Sequence, residues 1–376
     1  MPLRRALAWS RARRRMKQIA TALFTLFVVT SLVHAEPDVH IGLGVWIWEL
    51  PRCERGNVEA IVGRAKEARL GHVLIRVTEN GDGWASFNDR AKVIELATRL
   101  RSEGITVLAW GYHYPYKIES QIALVQSVLD MAVFDGYVLN VETEFRNCRT
   151  KAEELFAPIR RYRDANYPDK LLGYSTFGRI DRGLGAEMPI EVFGRYTDVA
   201  MPQAYWRDFD WEPRTTAYRM CQTWATREQQ WKSEGEAASI KPLIPTAHAY
   251  DGSDGTEIIP ASELEVFLDA TKGYFGVNVW SWQHMAPEHW KALVAFGNRP
   301  AEEETEKPTR TLWKTVLLRW ALGIPFALLL LLGFSQVKDG NKSWGDSLIT
   351  AVIWPLFVLS GIVVIVIAVI QAIRNR

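Results

Sequence analysis

The sequence predicts an α/β protein, a (β/α)8 TIM barrel over residues 37–298 followed by two C-terminal transmembrane helices. Three observations predict it. Eight short apolar runs read as buried strands. Helix-like stretches lie between them, two with clear start or stop signals: "NVEAIVGRAKEARL" begins on Asn57, and "SELEVFLDATKG" runs from Ser262 to Gly273. The alternation fills roughly 260 residues, the usual size of an eightfold barrel. The runner-up, a doubly wound open sheet, needs a glycine-rich turn after its first strand, and "WELPRCERG" holds a single glycine.

The chain opens on a basic block, Arg4, Arg5, Arg11, Arg13, Arg14, Arg15 and Lys17, with no acid among them. An apolar stretch from Ile19 to Val33 comes after it. Val33-His34-Ala35 has the small-residue character of a cleavage site. Residues 1–36 are therefore a cleaved signal peptide or a short uncleaved anchor, and either one exports the barrel.

The apolar runs come next, and active sites of such barrels sit where strands end. Strand one, "IGLGVWIW" (41–48), leads to Trp46, Trp48 and Glu49. Strand two, "HVLIRVTE" (72–79), carries Arg76 and Glu79. Strand three, "ITVLAWGY" (105–112), runs into Tyr112, His113 and Tyr114. Strand four, "GYVLNVET" (136–143), brings Asn140, Glu142 and Glu144. Strand five is "KLLGYSTF" (170–177). Strand six, "TDVAMPQAYW" (197–206), brings Gln203, Tyr205 and Trp206. Strand seven, "KPLIPTAHAY" (241–250), leads to His248, Tyr250 and Asp251. Strand eight, "FGVNVWSW" (275–282), leads to Trp280, Trp282, Gln283 and His284. Acids and aromatics thus gather at one rim.

After the barrel, "AEEETEKPTR" (301–310) is charged and free of large apolar residues, so 299–311 reads as a linker. Residues 312–376 hold two apolar segments, about 316–335 and 348–373. The second lacks any charge and is long enough to span a bilayer. The first contains Arg319, placed to snorkel, and Pro325. A buried hairpin is the alternative for this pair. With the N-terminal basic block inside, the barrel lies on the periplasmic or extracellular side.

Composition removes several functions. A net charge of +2 gives no footprint for nucleic acid. Cys53, Cys148 and Cys221 have neither metal spacing nor a CxxC pattern, and one disulfide or none remain open. His113 and His248 form no HxH or HExxH pattern, so neither a metal nor another cofactor is expected. "GYSTFG" lacks the GxSxG nucleophile elbow. The 16 tryptophans leave room for sugar-stacking rings beside core packing. Trp48 and Trp280 are the stacking candidates, while core packing competes at Trp46 and Trp282.

Side chains alternate along a strand, so Val138, Asn140 and Glu142 share one face. With Asn140 pointing into the barrel, Glu142 stands at its mouth. A glutamate against apolar walls keeps its proton longer and can give it to a glycosidic oxygen. Glu142 is therefore the candidate acid. Glu144 is the first candidate for a second carboxylate, with Glu49, Glu79 and Asp251 as alternatives. Tyr205 is placed to stabilise developing charge. Trp48, Arg76, Tyr112, His113, Asn140, Gln203, His248, Tyr250 and Trp280 are the expected substrate contacts.

The segment "DGYVLNVE", Asp135 to Glu142, resembles the DGxDxDxE signature of chitinase-like family 18 glycoside hydrolases. Asp135, Gly136 and Glu142 match; Val138 and Asn140 replace the two inner aspartates. "AMPQAYW" is similar to that family's sixth-strand Met-x-Tyr segment, and Trp280 resembles its eighth-strand tryptophan. The resemblance implies a glutamate acid and the substrate's own N-acetyl group as nucleophile. "LIRVTENG", "WGYHYP", "VLNVETE" and "LGYSTF" also keep the order of related pieces in family 25 lysozymes. There Glu142 matches again, Asn140 replaces an Asp, and Trp46 and Trp48 stand where strand one carries an Asp.

Both resemblances imply a glycoside hydrolase acting on an N-acetylhexosamine-containing or cell-envelope polysaccharide, and the chain's ends make it exported and membrane-tethered. The alternative is a catalytically inactive carbohydrate-binding barrel or a membrane-bound scaffold. Geometry separates them. A cleft in which Glu142 faces a second carboxylate or Tyr205 favours the enzyme. A filled mouth with Glu142 paired to Arg76 or Arg146 favours the scaffold.

Overall fold

The computed structural model describes residues 41–299 apart from 80–82, 235–241, 253–256 and 273. The signal or anchor segment, most of the linker and both expected membrane helices lie outside the described residues. Among the described residues no helix is long and apolar enough to cross a membrane.

Eight parallel strands close into a barrel in sequence order: β1 (Gly42–Ile47), β2 (His72–Glu79), β3 (Thr106–His113), β4 (Gly136–Val141), β5 (Leu171–Phe177), β6 (Val199–Gln203), β7 (Thr246–His248) and β8 (Gly276–Trp280). The ring is sealed by β1 pairing with β8. Around it run α1 (Val58–Glu67), α2 (Arg90–Ser102), α3 (Ile118–Leu129), α4 (Arg149–Asn166), α5 (Ile190–Tyr196), the single turn α6 (Trp206–Phe209), α7 (Pro213–Ser233), α8 (Ala261–Ala270) and α9 (Pro287–Gly297). The helix starts are encoded locally. Asn57 accepts from the Ala60 amide, and Asp89 from the Lys92 amide at 2.8 Å. Pro213 and Pro287 open their helices where a missing N–H costs nothing. Ser262 is not a cap, because α8 begins one residue earlier behind Pro260.

Two strands are much shorter than their apolar runs. In the seventh, Pro242 and Pro245 cannot donate to the ladder, and only Thr246–His248 pairs as a strand. In the sixth, the chain turns at Tyr205 and Trp206 starts α6. The fourth run stops at Val141, and Thr143–Phe145 forms a 3-10 turn.

Alternation sorts the side chains into two cores. Val45, Val73, Val107, Leu139 and their neighbours pack outward against the helices. Trp46, Leu74, Trp110, Val138, Met201 and Ile244 fill the barrel interior. At the bottom of the barrel His72 fills space that a side chain on β1 would take, since a Cβ on Gly44 would sit 2.0 Å from its imidazole. His72 Nε2 meets Asn278 Oδ1 at 2.5 Å, and its Nδ1 meets the Ile41 carbonyl at 2.9 Å.

A repeated anchor ties strand starts to helices. Asp135, just before β4, accepts from the Val107 amide and from Arg101 on α2. Asp198, just before β6, accepts from the Leu172 amide and from Arg163 on α4. All three cysteines are free thiols.

Candidate active site

Glu142 comes directly after the last residue of β4, so the strand ends where its carboxylate begins. Its Oε1 accepts from Asn140 Nδ2 at 2.9 Å and from Gln203 Nε2 at 2.8 Å. Both donors are neutral. Burial raises the carboxyl above its ordinary range, the two amides pull it down, and the charge of Glu144 pushes it up again; the net direction is upward. Glu142 forms one wall of a cavity of about 180 Å3 together with Asn140, Gln203, Tyr205, Tyr250 and Trp280. Trp46, Ser175 and Thr246 complete the lining.

Trp46 is read at the end of strand one but not among the substrate contacts, and Ser175 and Thr246 are absent from the sequence-based set. Each lies two residues before an expected rim residue or on the strand with none, and each faces inward by alternation. Thr246 precedes His248, Trp46 precedes Trp48, and Ser175 is the inward residue of β5. Reading only the strand ends misses the layer beneath them.

Two buried polar atoms of this lining have no hydrogen-bond partner among the described residues, Asn140 Oδ1 and Trp46 Nε1. One is an acceptor and the other a donor, so the cavity presents unused hydrogen-bonding capacity of both kinds.

Tyr205 stacks on His248, with ring centroids 5.2 Å apart and planes 5° apart. Burial first, then the neighbouring Tyr250 and Glu142, hold its hydroxyl well above the usual phenol range, so it stays a neutral donor. Tyr250 also lines the cavity, and burial pushes its hydroxyl up to about 12. His248 is buried behind Tyr205, edge-on to Trp206 at 4.3 Å, and does not line the cavity. Burial and the Arg207 charge lower it to about 3, which keeps the ring neutral.

Trp280 lies against Trp46, Trp110 and Trp48, and Trp48 stacks on it from outside the cavity at 6.0 Å. Arg76 is held away from Glu142. Its guanidinium pairs with Glu79 at 3.0 Å and lies over the rings of Trp48, Phe87 and Trp110. Arg146 pairs with Glu187 instead. The arrangement expected of a scaffold, Glu142 paired to either arginine, is not the one adopted. Glu144 sits on the exposed turn after β4 and accepts the Tyr112 hydroxyl at 2.7 Å. Glu49 meets Arg52 and Glu79 meets Arg76, so neither joins Glu142 in the cavity.

The expectation that His113 meets substrate is corrected. His113 is the next residue after the inward Tyr112, so alternation turns it toward the helices. There its Nδ1 meets Gln121 Oε1 at 3.0 Å and its Nε2 meets the Tyr137 hydroxyl at 3.2 Å. Among the described residues no three His, Cys, Asp or Glu side chains converge on a common point.

No protein-family model matches the chain, and no curated protein matches it in sequence. Solved structures do resemble it. One is the C-terminal domain of a protein assigned as a chitinase from Desulfitobacterium hafniense, at TM-score 0.51 and 11% identity, covering 69% of this chain and 99% of that one. What they share is the (β/α)8 fold. A chitinase from Chromobacterium violaceum aligns at TM-score 0.49 and 10% identity, over 69% of this chain and 100% of its own. The endo-β-1,4-mannanase from Thermotoga petrophila aligns at 0.49 and 8%, over 71% and 78%. The resemblance read from strands four, six and eight therefore holds at the level of the barrel.

The chemistry open to the site comes from its geometry. It holds one carboxyl biased toward its protonated form, two amides that fix its position, and a neutral phenol in the same lining. Aromatic faces border the remaining space. Such a cavity can give a proton to a bound oxygen while holding a ring against indole.

Proposed function

We propose that the chain is an exported, membrane-tethered glycoside hydrolase in which Glu142 protonates the leaving oxygen of an N-acetylhexosamine-containing or cell-envelope polysaccharide. The observation that carries this reading is the environment of Glu142. It is a carboxyl at the end of a barrel strand, raised by burial, held by two neutral amides and, among the described residues, without a cationic partner. Those are the features a general acid needs near neutral pH. Among the described residues lining the cavity, Glu142 is the single carboxylate. This suits a nucleophile supplied by the substrate's acetamido group, with Tyr205 as the hydroxyl that steadies it. Export and tethering rest on the basic and apolar N-terminal stretch and on the two apolar C-terminal segments.

The experiment is a screen of the full chain on glycan polymers with product analysis, repeated with Glu142→Gln. Turnover that disappears in the variant while glycan binding persists supports the assignment. Turnover unchanged in the variant removes it.

The single cavity carboxylate also favours a second reading, a sugar-binding barrel without turnover. In that case the wild-type chain binds the same glycans and releases no product from any of them.

A further inference from the structure

Three tyrosines leave the mouth of the barrel in a row. Tyr112, at the end of β3, donates to Glu144. Its ring lies 5.0 Å from that of Tyr114, which lies 5.0 Å from that of Tyr116. Tyr116 is 52% exposed. A single exposed aromatic needs no explanation, whereas a contiguous row marks a contact surface.

The row is rigid for a reason the cavity does not require. Gln121 on α3 is fully buried and spends its whole amide on this loop. Its Oε1 accepts from the Tyr114 amide at 3.1 Å, and its Nε2 donates to the carbonyls of Tyr114 and Tyr116 at 2.8 and 2.6 Å. His113 holds Gln121 in place. With Gln121 Nε2 committed to carbonyls, His113 Nδ1 donates to Oε1, and its Nε2 accepts from Tyr137. Pro115 between the two outer tyrosines removes further backbone freedom. A loop held this way presents its rings without an ordering cost on binding.

We infer that Tyr112, Tyr114 and Tyr116 form a preformed ledge for the sugars of a glycan chain that extend beyond the cavity. This rests on the glycosidase reading of the cavity and adds that the substrate is a polymer bound at several sugars. The size of the cavity points to this occupant. At about 180 Å3 it is smaller than the ~300–1,000 Å3 of ordinary small-molecule sites, so the rest of a chain must lie against the mouth. Tyr112 stands in register beside Asn140 of the cavity lining, so the ledge starts next to the cavity, and tyrosine offers a sugar both an apolar face and a hydroxyl.

The test uses the full chain carrying Glu142→Gln, which removes turnover, and oligomers of N-acetylglucosamine as probes. Calorimetric titration compares dimer with hexamer. The hexamer binds the parent more tightly than the dimer. Tyr116→Ala weakens hexamer binding by about five- to tenfold, the loss of one aromatic contact, and collapses the hexamer-to-dimer ratio. Tyr116→Phe retains the ratio, and Gln121→Ala lowers it by loosening the ledge. A ratio unchanged in both Tyr116→Ala and Tyr114→Ala overturns the ledge and leaves the cavity assignment standing. If neither oligomer binds the parent, the ledge falls together with that assignment.

Discussion

Glu142 differs from the other acids at the mouth in its surroundings. Glu79 and Glu49 have arginine partners, and Glu144 is exposed on a turn, while Glu142 is half-buried against amides. Glu142→Gln is expected to lower turnover about a hundredfold or more, the usual worth of a positioned acid, as read by product release from a glycan polymer. Its effect on stability has the opposite sign. A carboxyl raised in the folded state favours folding fully only below its unfolded value, and that contribution is lost as pH rises through the folded value. The variant is therefore at least as stable as wild type at neutral pH, and the difference shrinks in acid; a lower Tm at neutral pH would contradict this. Asn140 and Gln203 stabilise the anion, so Asn140→Ala or Gln203→Ala moves the alkaline limb of the pH–rate profile upward. A limb that stays in place would show that neither amide touches the titrating group. Glu142 and Asn140 were legible because strand alternation alone puts them on one face. His113 was misplaced because its position after Tyr112 was read as rim rather than as the opposite face.

At the scale of elements, the strands were legible and their ends were not. A run such as "KPLIPTAHAY" is apolar throughout, but only three of its residues form a strand, because its prolines lack the donor that pairing requires. Asp135 matches the first position of a catalytic signature, yet it sits at the start of β4 and acts as an anchor. Asp198 does the same for β6 in a drier setting. It receives Arg160 at 2.8 Å, Arg163 at 2.8 Å and the Leu172 amide at 2.9 Å. Asp198→Ala leaves the buried Arg163 guanidinium and that amide without their acceptor, and is expected to cost about 3–5 kcal/mol in denaturant unfolding. A cost below about 1 kcal/mol would place this pair among ordinary surface ion pairs. The Gln121 anchor belongs to the same level, since a buried glutamine on α3 shapes a loop several residues before it. Nothing in the local sequence of either segment announces that contact.

For the whole molecule, the buried histidines set the response to acid. Burial lowers His72 and His113 to about 4 and His248 to about 3. A histidine depressed in the folded state contributes stability that is present above its unfolded value, about 6.5, and is lost as pH falls toward the folded value. Stability is therefore expected to fall from about pH 6.5 to about pH 4, by on the order of 3 kcal/mol for each histidine that must charge. Denaturation midpoints measured across that range check it, and a flat profile would mean that these rings are not held neutral. Glu142 works in the other direction but is one group against three. The sequence by itself determined the barrel, because eight buried parallel strands must be apolar and the segments between them must cap and cover them. It also determined that Glu142 would stand at a strand end, because alternation has a period of two whatever the neighbours are. Only the tertiary structure decided which rim residues meet. Closing β8 onto β1 brings Trp280 beside Trp46, and the curvature of the ring sets Gln203 against Glu142 across 61 positions of sequence. Such contacts depend on the shear and closure of the whole sheet, which local spacing does not encode.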